Sequence, residues 1–300
     1  MPKYLKFLLL CVIWSTTWAI LKIGLDQTPP MVGLALRFSC AAIILLSAVF
    51  WTGRRIATDR LSLRLYALIG LINMALSYFC TYWGTQFIPS GLSSILWATL
   101  PLFVGLFAWW MLKDDRRGWI SVVSIGIALI GVGLILSDQQ LIFDRKLLWG
   151  SLVVLFGVGV TAYPTVVLKQ AQDSYDPLVL TAMSMLIGGT VHLIGATVAG
   201  EWSQMVWDSR NIGAVLYLGI FGSALAFLVY YSLLRQINVV KLSFVTFMTP
   251  VFATIIGWLW LKETVTLREI VGMVLIFTGL FLYDWKKYIG FFYQVSEPIK

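Results

Sequence analysis

"TLPLFVGLFAWWMLKD", residues 99–114, and "MTPVFATIIGWLWLKE", residues 248–263, carry one pattern twice. Pro101/Pro250, Phe103/Phe252, Trp109/Trp258, Leu112/Leu261 and Lys113/Lys262 fall in step, each pair 149 residues apart. The same offset applied to residues 70–113 gives 11 identities in 44 positions, among them Gly70/Gly219, Ala75/Ala224, Tyr82/Tyr231 and Ser94/Ser243. An offset of 147 lays "LKIGLDQTPPMV" (21–32) on "LKQAQDSYDPLV" (168–179), pairing Lys22/Lys169, Asp26/Asp173 and Pro30/Pro177. Apolar helices resemble one another by composition, but composition alone does not keep proline, lysine, aspartate and tryptophan in order over two long stretches. The chain reads as an internal duplication.

Composition says where the duplicated unit sits. Of 300 residues 59% are hydrophobic and 12% charged, about half the charged share of a soluble domain. Apolar segments follow one another at 4–24, 30–51, 64–86, 91–111, 118–137, 147–170, 178–199, 212–234, 241–261 and 267–286. Each is long enough, at ~1.5 Å per residue, to cross a hydrocarbon layer of ~30 Å as a helix. The expected fold is an all-α integral membrane protein of ten transmembrane helices in two five-helix repeats, residues 1–140 and 141–290, with a short cytoplasmic tail at 291–300. An odd number of spans makes the second repeat enter from the opposite side, so the repeats are inverted. That is the recurrent build of secondary transporters, because a pseudo-two-fold axis in the membrane plane gives equivalent outward- and inward-open states.

Residues 3–19 have the lysines, apolar stretch and small residues of a signal peptide, yet the neighbouring residues belong to the repeat, so an uncleaved first span is expected. Lys and Arg favour the side of the termini by 15 to 6, with Arg37 inside a span. By the positive-inside rule both termini are cytoplasmic, in the inner or plasma membrane. The net charge of +8 is spread over span ends, which argues against a nucleic-acid partner; the expected partners are the lipid bilayer and a small-molecule substrate. Cys11, Cys40 and Cys80 lie inside apolar segments, where a thiol packs as a small hydrophobe. Neither disulfide nor metal spacing is visible, and no cofactor is expected.

At "VIWSTTWAILKIGLDQTPPMVGLALRF" (12–38), "GIFGSALAFLVYYSLLRQI" (219–237) and "TPVFATIIGWLWLKETVTLREIVGMVLIFTGL" (249–280) the chain resembles EamA-type members of the drug/metabolite transporter superfamily. The resemblance covers nearly the whole chain. It implies ten helices in two repeats around a central cavity, and a small-metabolite carrier, often an exporter. It also places the fifth and tenth helices at the periphery, where Gly126, Gly131, Gly133, Gly272 and Gly279 would permit the close contact of a homodimer.

Arg37 is the sharpest charge, about 10 Å inside the second span at 1.5 Å per residue. An arginine at that depth is costly and by default functional: its planar fork suits a carboxylate or phosphate. The alternative is an arginine that snorkels to the interface. Lys22 and Lys241 are candidate anion or gate contacts, with an interface anchor as the alternative for Lys22. Pro101, Pro164 and Pro250 lack the N–H that would bond to residue i−4, so they are expected to bend their helices near mid-membrane and free the carbonyls of Trp97, Val160 and Thr246 toward protein, water or substrate.

With 14 Trp, 12 Tyr and 18 Phe, those at span ends are interface anchors. Trp14, Trp18, Tyr78, Tyr82, Trp97, Tyr163, Phe227 and Tyr231 lie deeper and are candidate cavity-lining residues. Tyr78/Tyr82 and Phe227/Tyr231 share a face at i, i+4 and are repeat equivalents. No Asp or Glu lies deep in a span, and His192 is the single histidine, read as a packing residue. Ser–His or His-rich metal catalysis therefore lacks material, and a non-enzymatic function is expected. The leading reading is an alternating-access carrier, exporting amino acids or related metabolites. A drug or nucleotide-sugar carrier, or a membrane receptor or scaffold, is the alternative.

Overall fold

The computed structural model describes residues 2–112, 119–136, 145–171, 174–236 and 239–283. Readings that fall on Lys113, Asp173, the 140/141 boundary and the 291–300 tail lie outside the described residues. Regular structure among the described residues is helical: α1 (Lys3–Leu25), α2 (Pro30–Trp51), α3 (Arg60–Ala67), α4 (Tyr78–Thr85), α5 (Ser90–Trp97), α6 (Leu100–Leu112), α7 (Trp119–Leu136), α8 (Arg145–Gln170), α9 (Pro177–Val198), α10 (Ser209–Gly219), α11 (Ala226–Gln236), α12 (Val239–Leu261) and α13 (Leu267–Tyr283). π-helical segments, Leu68–Ser77 and Ile220–Leu225, join α3 to α4 and α10 to α11 into single rods. Helix falls in each of the ten intervals read as spans, and seven stretches among the described residues are long and apolar enough to cross a membrane. Large apolar side chains such as Ile43, Ile194, Leu129 and Trp258 face outward, as a lipid-facing surface requires. This is a multi-pass helical membrane protein.

The inversion can be followed through the helix caps. Pro30 and Pro177, equivalent under the 147 offset, both open a helix, where a missing N–H costs nothing. The next N–H groups have no partner within their helix. In α9 the Asp176 carboxylate accepts from Leu178 N and Val179 N at 2.8 and 3.2 Å. In α2 the residue equivalent to Asp176 is Pro29, which has no acceptor side chain. Glu201, just past the end of α9, accepts instead from Met31 N and Val32 N at 3.1 and 3.4 Å. At the opposite end Arg54, just past α2, pairs with Asp176 at the start of α9. Each helix ends where its partner begins, so these repeat-equivalent helices run antiparallel.

A second equivalent pair does the same. Just past the end of α12, Lys262 adopts the left-handed region, φ 55°, and Glu263 N donates back to Gly257 O at 3.2 Å, which closes the turn over the helix end. The turn delivers the Glu263 carboxylate to the start of α5, where it accepts from Ser90 N and Ser90 Oγ, both at 2.8 Å, and from Gly91 N at 3.4 Å. A Cβ on Gly257 would displace that carboxylate from this position. Glu263→Ala is expected to lower stability in detergent by about 1–2 kcal/mol, the upper range for loss of a helix N-cap, seen as a lower thermal midpoint.

Helix pairing also obeys exchange of the halves. α2 packs on α9, α5 on α12 and α7 on α13, each with its own equivalent; α4 packs on α8 as α11 packs on α1. Gly131 of α7 faces Gly272 of α13 so closely that a Cβ would lie 2.7 Å from the Gly272 carbonyl oxygen. These two glycines thus meet each other inside the chain, while a Cβ on Gly126 or Gly133 would meet nothing within 4 Å among the described residues.

The prolines depart from the symmetric expectation. Pro164 and Pro250 lie inside continuous helices. Pro101 instead occupies the second position of α6, beyond a break at Ala98 and Thr99. There Ala98 N and Thr99 N turn to the i−3 carbonyls of Ile95 and Leu96 at 3.1 Å, and proline is tolerated in a first turn. The expected bend at Pro101 is a break.

Candidate substrate cavity

Helices from both halves turn a face to a common cavity of about 140 Å³. On α1 the face is Trp14, Thr17, Trp18 and Leu21, and on α11 it is Phe227, Tyr230, Tyr231 and Leu234. Both follow the i, i+3, i+4, i+7 spacing of a single helical stripe. α8 adds Thr161, Thr165 and Leu168. On the rod formed by α3 and α4 the lining residues are Ile69, Asn73, Tyr78 and Thr81. The step of five from Asn73 to Tyr78 spans the end of the π segment, whose wider turn keeps both residues on the cavity side.

The rings form a closed belt. Trp14 meets Phe227 at 6.0 Å, Phe227 meets Tyr78 at 6.0 Å, Tyr78 meets Trp97 at 6.0 Å and Trp97 meets Trp18 at 6.3 Å. Trp18 and Trp14, one turn apart on α1, complete the circuit. Tyr78 and Phe227 are equivalent under the 149 offset, and equivalent residues that touch lie on the symmetry axis. The cavity is therefore centred on the pseudo-two-fold axis.

Arg37 enters this belt from α2 and is 4% exposed. Its Nε donates to Ser223 Oγ at 2.6 Å, one terminal nitrogen to Tyr82 OH at 3.1 Å and the other to Gly222 O at 3.1 Å. The guanidinium carbon lies 5.1 Å from the Tyr78 ring centre, within cation–π range. Gly222 and Ser223 belong to the second π segment. The first π segment receives the mirrored contact: His192 Nε2, from α9, donates to Met74 O at 3.1 Å, as expected of a packing histidine. Each half thus sends one side chain into the widened turn of the other. The ion pairs Arg54–Asp176 and Arg210–Asp26 both lie at helix ends. Arg37 has no carboxylate partner among the described residues.

A neutral polar cluster occupies another wall. Thr161 Oγ1 lies 2.6 Å from Ser77 Oγ and 3.2 Å from Asn73 Oδ1. Trp97 Nε1 donates to Thr81 Oγ1 at 3.1 Å. The Tyr231 hydroxyl is buried beside this cluster and makes no geometrically good hydrogen bond among the described residues.

Of the residues singled out from the sequence, Trp14, Trp18, Arg37, Tyr78, Trp97, Phe227 and Tyr231 line the cavity. Tyr82 stands behind Arg37 as its hydrogen-bond partner. Tyr163 turns away and packs on Phe107 at 6.1 Å. Lys22 is a cap: its ammonium donates to Thr85 O, Gln86 O and Ile88 O at 2.9, 3.2 and 2.9 Å, which uses all three donors and closes the end of α4. Lys241 lies in α12, and its side chain is outside the described residues. Sequence reasoning missed Asn73, Thr161, Thr165 and Tyr230. An asparagine in the middle of a span is a readable signal; hydroxyls in apolar helices bond their own backbone too often to stand out.

The EamA-like transporter family model matches residues 1–137 and 148–283. Curated relatives include the uncharacterized transporter YoaV of Bacillus subtilis (strain 168), 27% identical over 90% of this chain and 92% of that protein. The uncharacterized inner membrane transporter YedA of Escherichia coli (strain K12) is 28% identical over 100% of this chain and 96% of its own. A WAT1-related chloroplastic protein of Arabidopsis thaliana is 28% identical over 91% of this chain and 67% of its own. A solved crystal structure shares the fold with a TM-score of 0.69 at 17% identity, over 95% of this chain and 98% of that one. With one family model matching on either side of residues 138–147, around a ring-lined cavity on the axis between the halves, the chain belongs to the EamA-like transporter family.

Proposed function

We propose that this protein is a secondary transporter that moves small organic acids, amino acids and related metabolites among them, by alternating access, and exports them across the inner or plasma membrane. One observation carries the reading: a cavity on the axis between inverted halves holds a buried arginine with no internal counter-charge among the described residues. A cation buried that deeply is expensive unless paired. A carboxylate substrate supplies the pair and, when it leaves, returns the site to a higher-energy state that favours the next loading. The rings supply broad apolar contact. A volume of about 140 Å³ suits small acids rather than nucleotide sugars.

Both termini are assigned to the cytoplasm from the basic loops. The two halves rearrange about the α2–α9 pair, which takes one helix from each half and is clamped at both ends by Glu201 and Arg54. The test is counterflow in proteoliposomes preloaded with a panel of unlabelled amino acids and organic acids. Accumulation of the labelled counterpart by at least one panel member is expected. A flat response across the panel, from protein that remains folded and monodisperse, contradicts the carrier reading and favours a receptor or scaffold.

A further inference from the structure

We infer that the cavity selects carboxylates with a flat or apolar body and no ammonium group, so that within the carrier reading on which this rests, simple aryl-alkyl acids rank above α-amino acids. Among the described residues Arg37 is the one charged side chain lining the cavity, and no Asp or Glu joins it. The guanidinium has five N–H donors; three are given to neutral partners, Ser223, Tyr82 and Gly222. A carboxylate set against the remaining donors gains the short, charge-assisted contact that neutral partners do not supply.

The ammonium of an α-amino acid is attached one carbon from that carboxylate. Binding on Arg37 therefore brings the ammonium close to the guanidinium, and like charges at that separation repel strongly in a site shielded from water. A site for zwitterions needs a carboxylate or a free ring face to offset this. The nearest faces are taken: Tyr78, Phe38 and Tyr82 lie 5.1, 5.6 and 5.8 Å from the Arg37 guanidinium carbon. The neutral wall behaves differently. The Tyr231 hydroxyl, in a residue 2% exposed and with no geometrically good hydrogen bond among the described residues, together with Asn73 and Thr161, offers a keto or hydroxyl group its hydrogen bonds and gives an ammonium no charge.

The test uses three ligands with one ring and matched chains: 3-phenylpropionate carries the carboxylate alone, phenylalanine both groups, and phenethylamine the ammonium alone. Binding to the full-length protein in nanodiscs is read by tryptophan fluorescence, which Trp14, Trp18 and Trp97 report from the cavity wall; counterflow of each is read in proteoliposomes. The expected order is phenylpropionate about tenfold or more tighter than phenylalanine, with phenethylamine not measurably bound. Arg37→Lys, which keeps the charge but loses the fork, is expected to weaken phenylpropionate while preserving the order.

Phenylalanine binding as tightly as phenylpropionate, or phenethylamine competing with either, overturns the inference and leaves the carrier reading intact. Selective binding of phenylpropionate without counterflow of any panel substrate sustains the inference and overturns the carrier reading. Binding of none of the three overturns the inference whatever the panel transports. These comparisons are made on the unsubstituted protein, so poor folding of the Arg37 variant does not affect them.

Discussion

Arg37→Met is expected to lower counterflow of a carboxylate substrate by at least about 100-fold while changing folding stability by no more than about 2 kcal/mol. Hydrogen bonds to a charged group contribute about 1.5–3 kcal/mol each, and each 1.4 kcal/mol is a factor of about ten. Loss of a charge-assisted carboxylate contact therefore removes about two orders of magnitude of affinity. Stability responds to two opposing effects. The variant leaves Ser223 Oγ, Tyr82 OH and Gly222 O without their donor, at about 1–3 kcal/mol for a buried polar group that stays unpaired. It also removes an uncompensated charge from a site that is 4% exposed, which is favourable. Methionine is unbranched and flexible enough to fill the space. A thermal midpoint that collapses along with transport assigns Arg37 to holding the second π segment; a retained midpoint with lost transport assigns it to substrate.

Gly84→Val is expected to destabilise the protein by about 3 kcal/mol or more, at or above the upper end of overpacking, and to reduce the monodisperse fraction after extraction. A Cβ on Gly84 would lie 2.5 Å from the carbonyl oxygen of Gly150, and one on Gly150 would lie 2.8 Å from that of Gly84. Two backbones meet at this crossing of α4 and α8, so no side chain can rotate away to relieve the overlap. Small residues at helix crossings are what close packing in lipid depends on. The crossing also sets the cavity, since α4 carries Tyr82 behind Arg37 and α8 carries Thr161. Gly150→Val is expected to act similarly, and the double variant to cost less than the sum because both remove one contact. Gly126→Val is the control, with nothing among the described residues within 4 Å of its Cβ position, and is expected to fall within about 0.5 kcal/mol of the parent.

Much of this architecture is legible in the sequence because the bilayer restricts the choices. Spans of about 20 apolar residues have one regular solution, and the echo of Pro101 in Pro250 announces the duplication. Arg37 stands out because a charge inside a span is rare. What stays hidden is which way each helix faces. A helix apolar all round carries no periodic signal of its buried side, so Tyr163 and Tyr78 look alike in sequence although one packs on Phe107 and the other lies on the axis.

The π segments are hidden for a different reason. Hydrogen-bond register is a property of the folded rod, and neither "LIGLINMALS" nor "IFGSAL" differs in composition from the helix around it. The Pro101 and Pro250 pair shows the limit of reading symmetry locally. The same residue at equivalent positions begins a helix in one half and sits inside one in the other, because the residues before Pro101 leave the helix at Ala98. Lys22 illustrates a third case, in which a charge that looks like a gate is consumed by three carbonyls more than 60 residues away.

Alternating access requires the cavity to open to each side of the membrane in turn, and thiol accessibility reads that exposure. Cys11, Cys40 and Cys80 are free thiols; with these replaced by serine, Ser94→Cys places one near-isosteric thiol in the cavity wall. A membrane-impermeant thiol reagent is then applied from either side of sealed vesicles. Labelling of Cys-substituted position 94 from both sides, with a transported acid slowing the reaction from each, is the result the inverted-repeat carrier predicts. Labelling from one side only, at a rate indifferent to substrate, would contradict it.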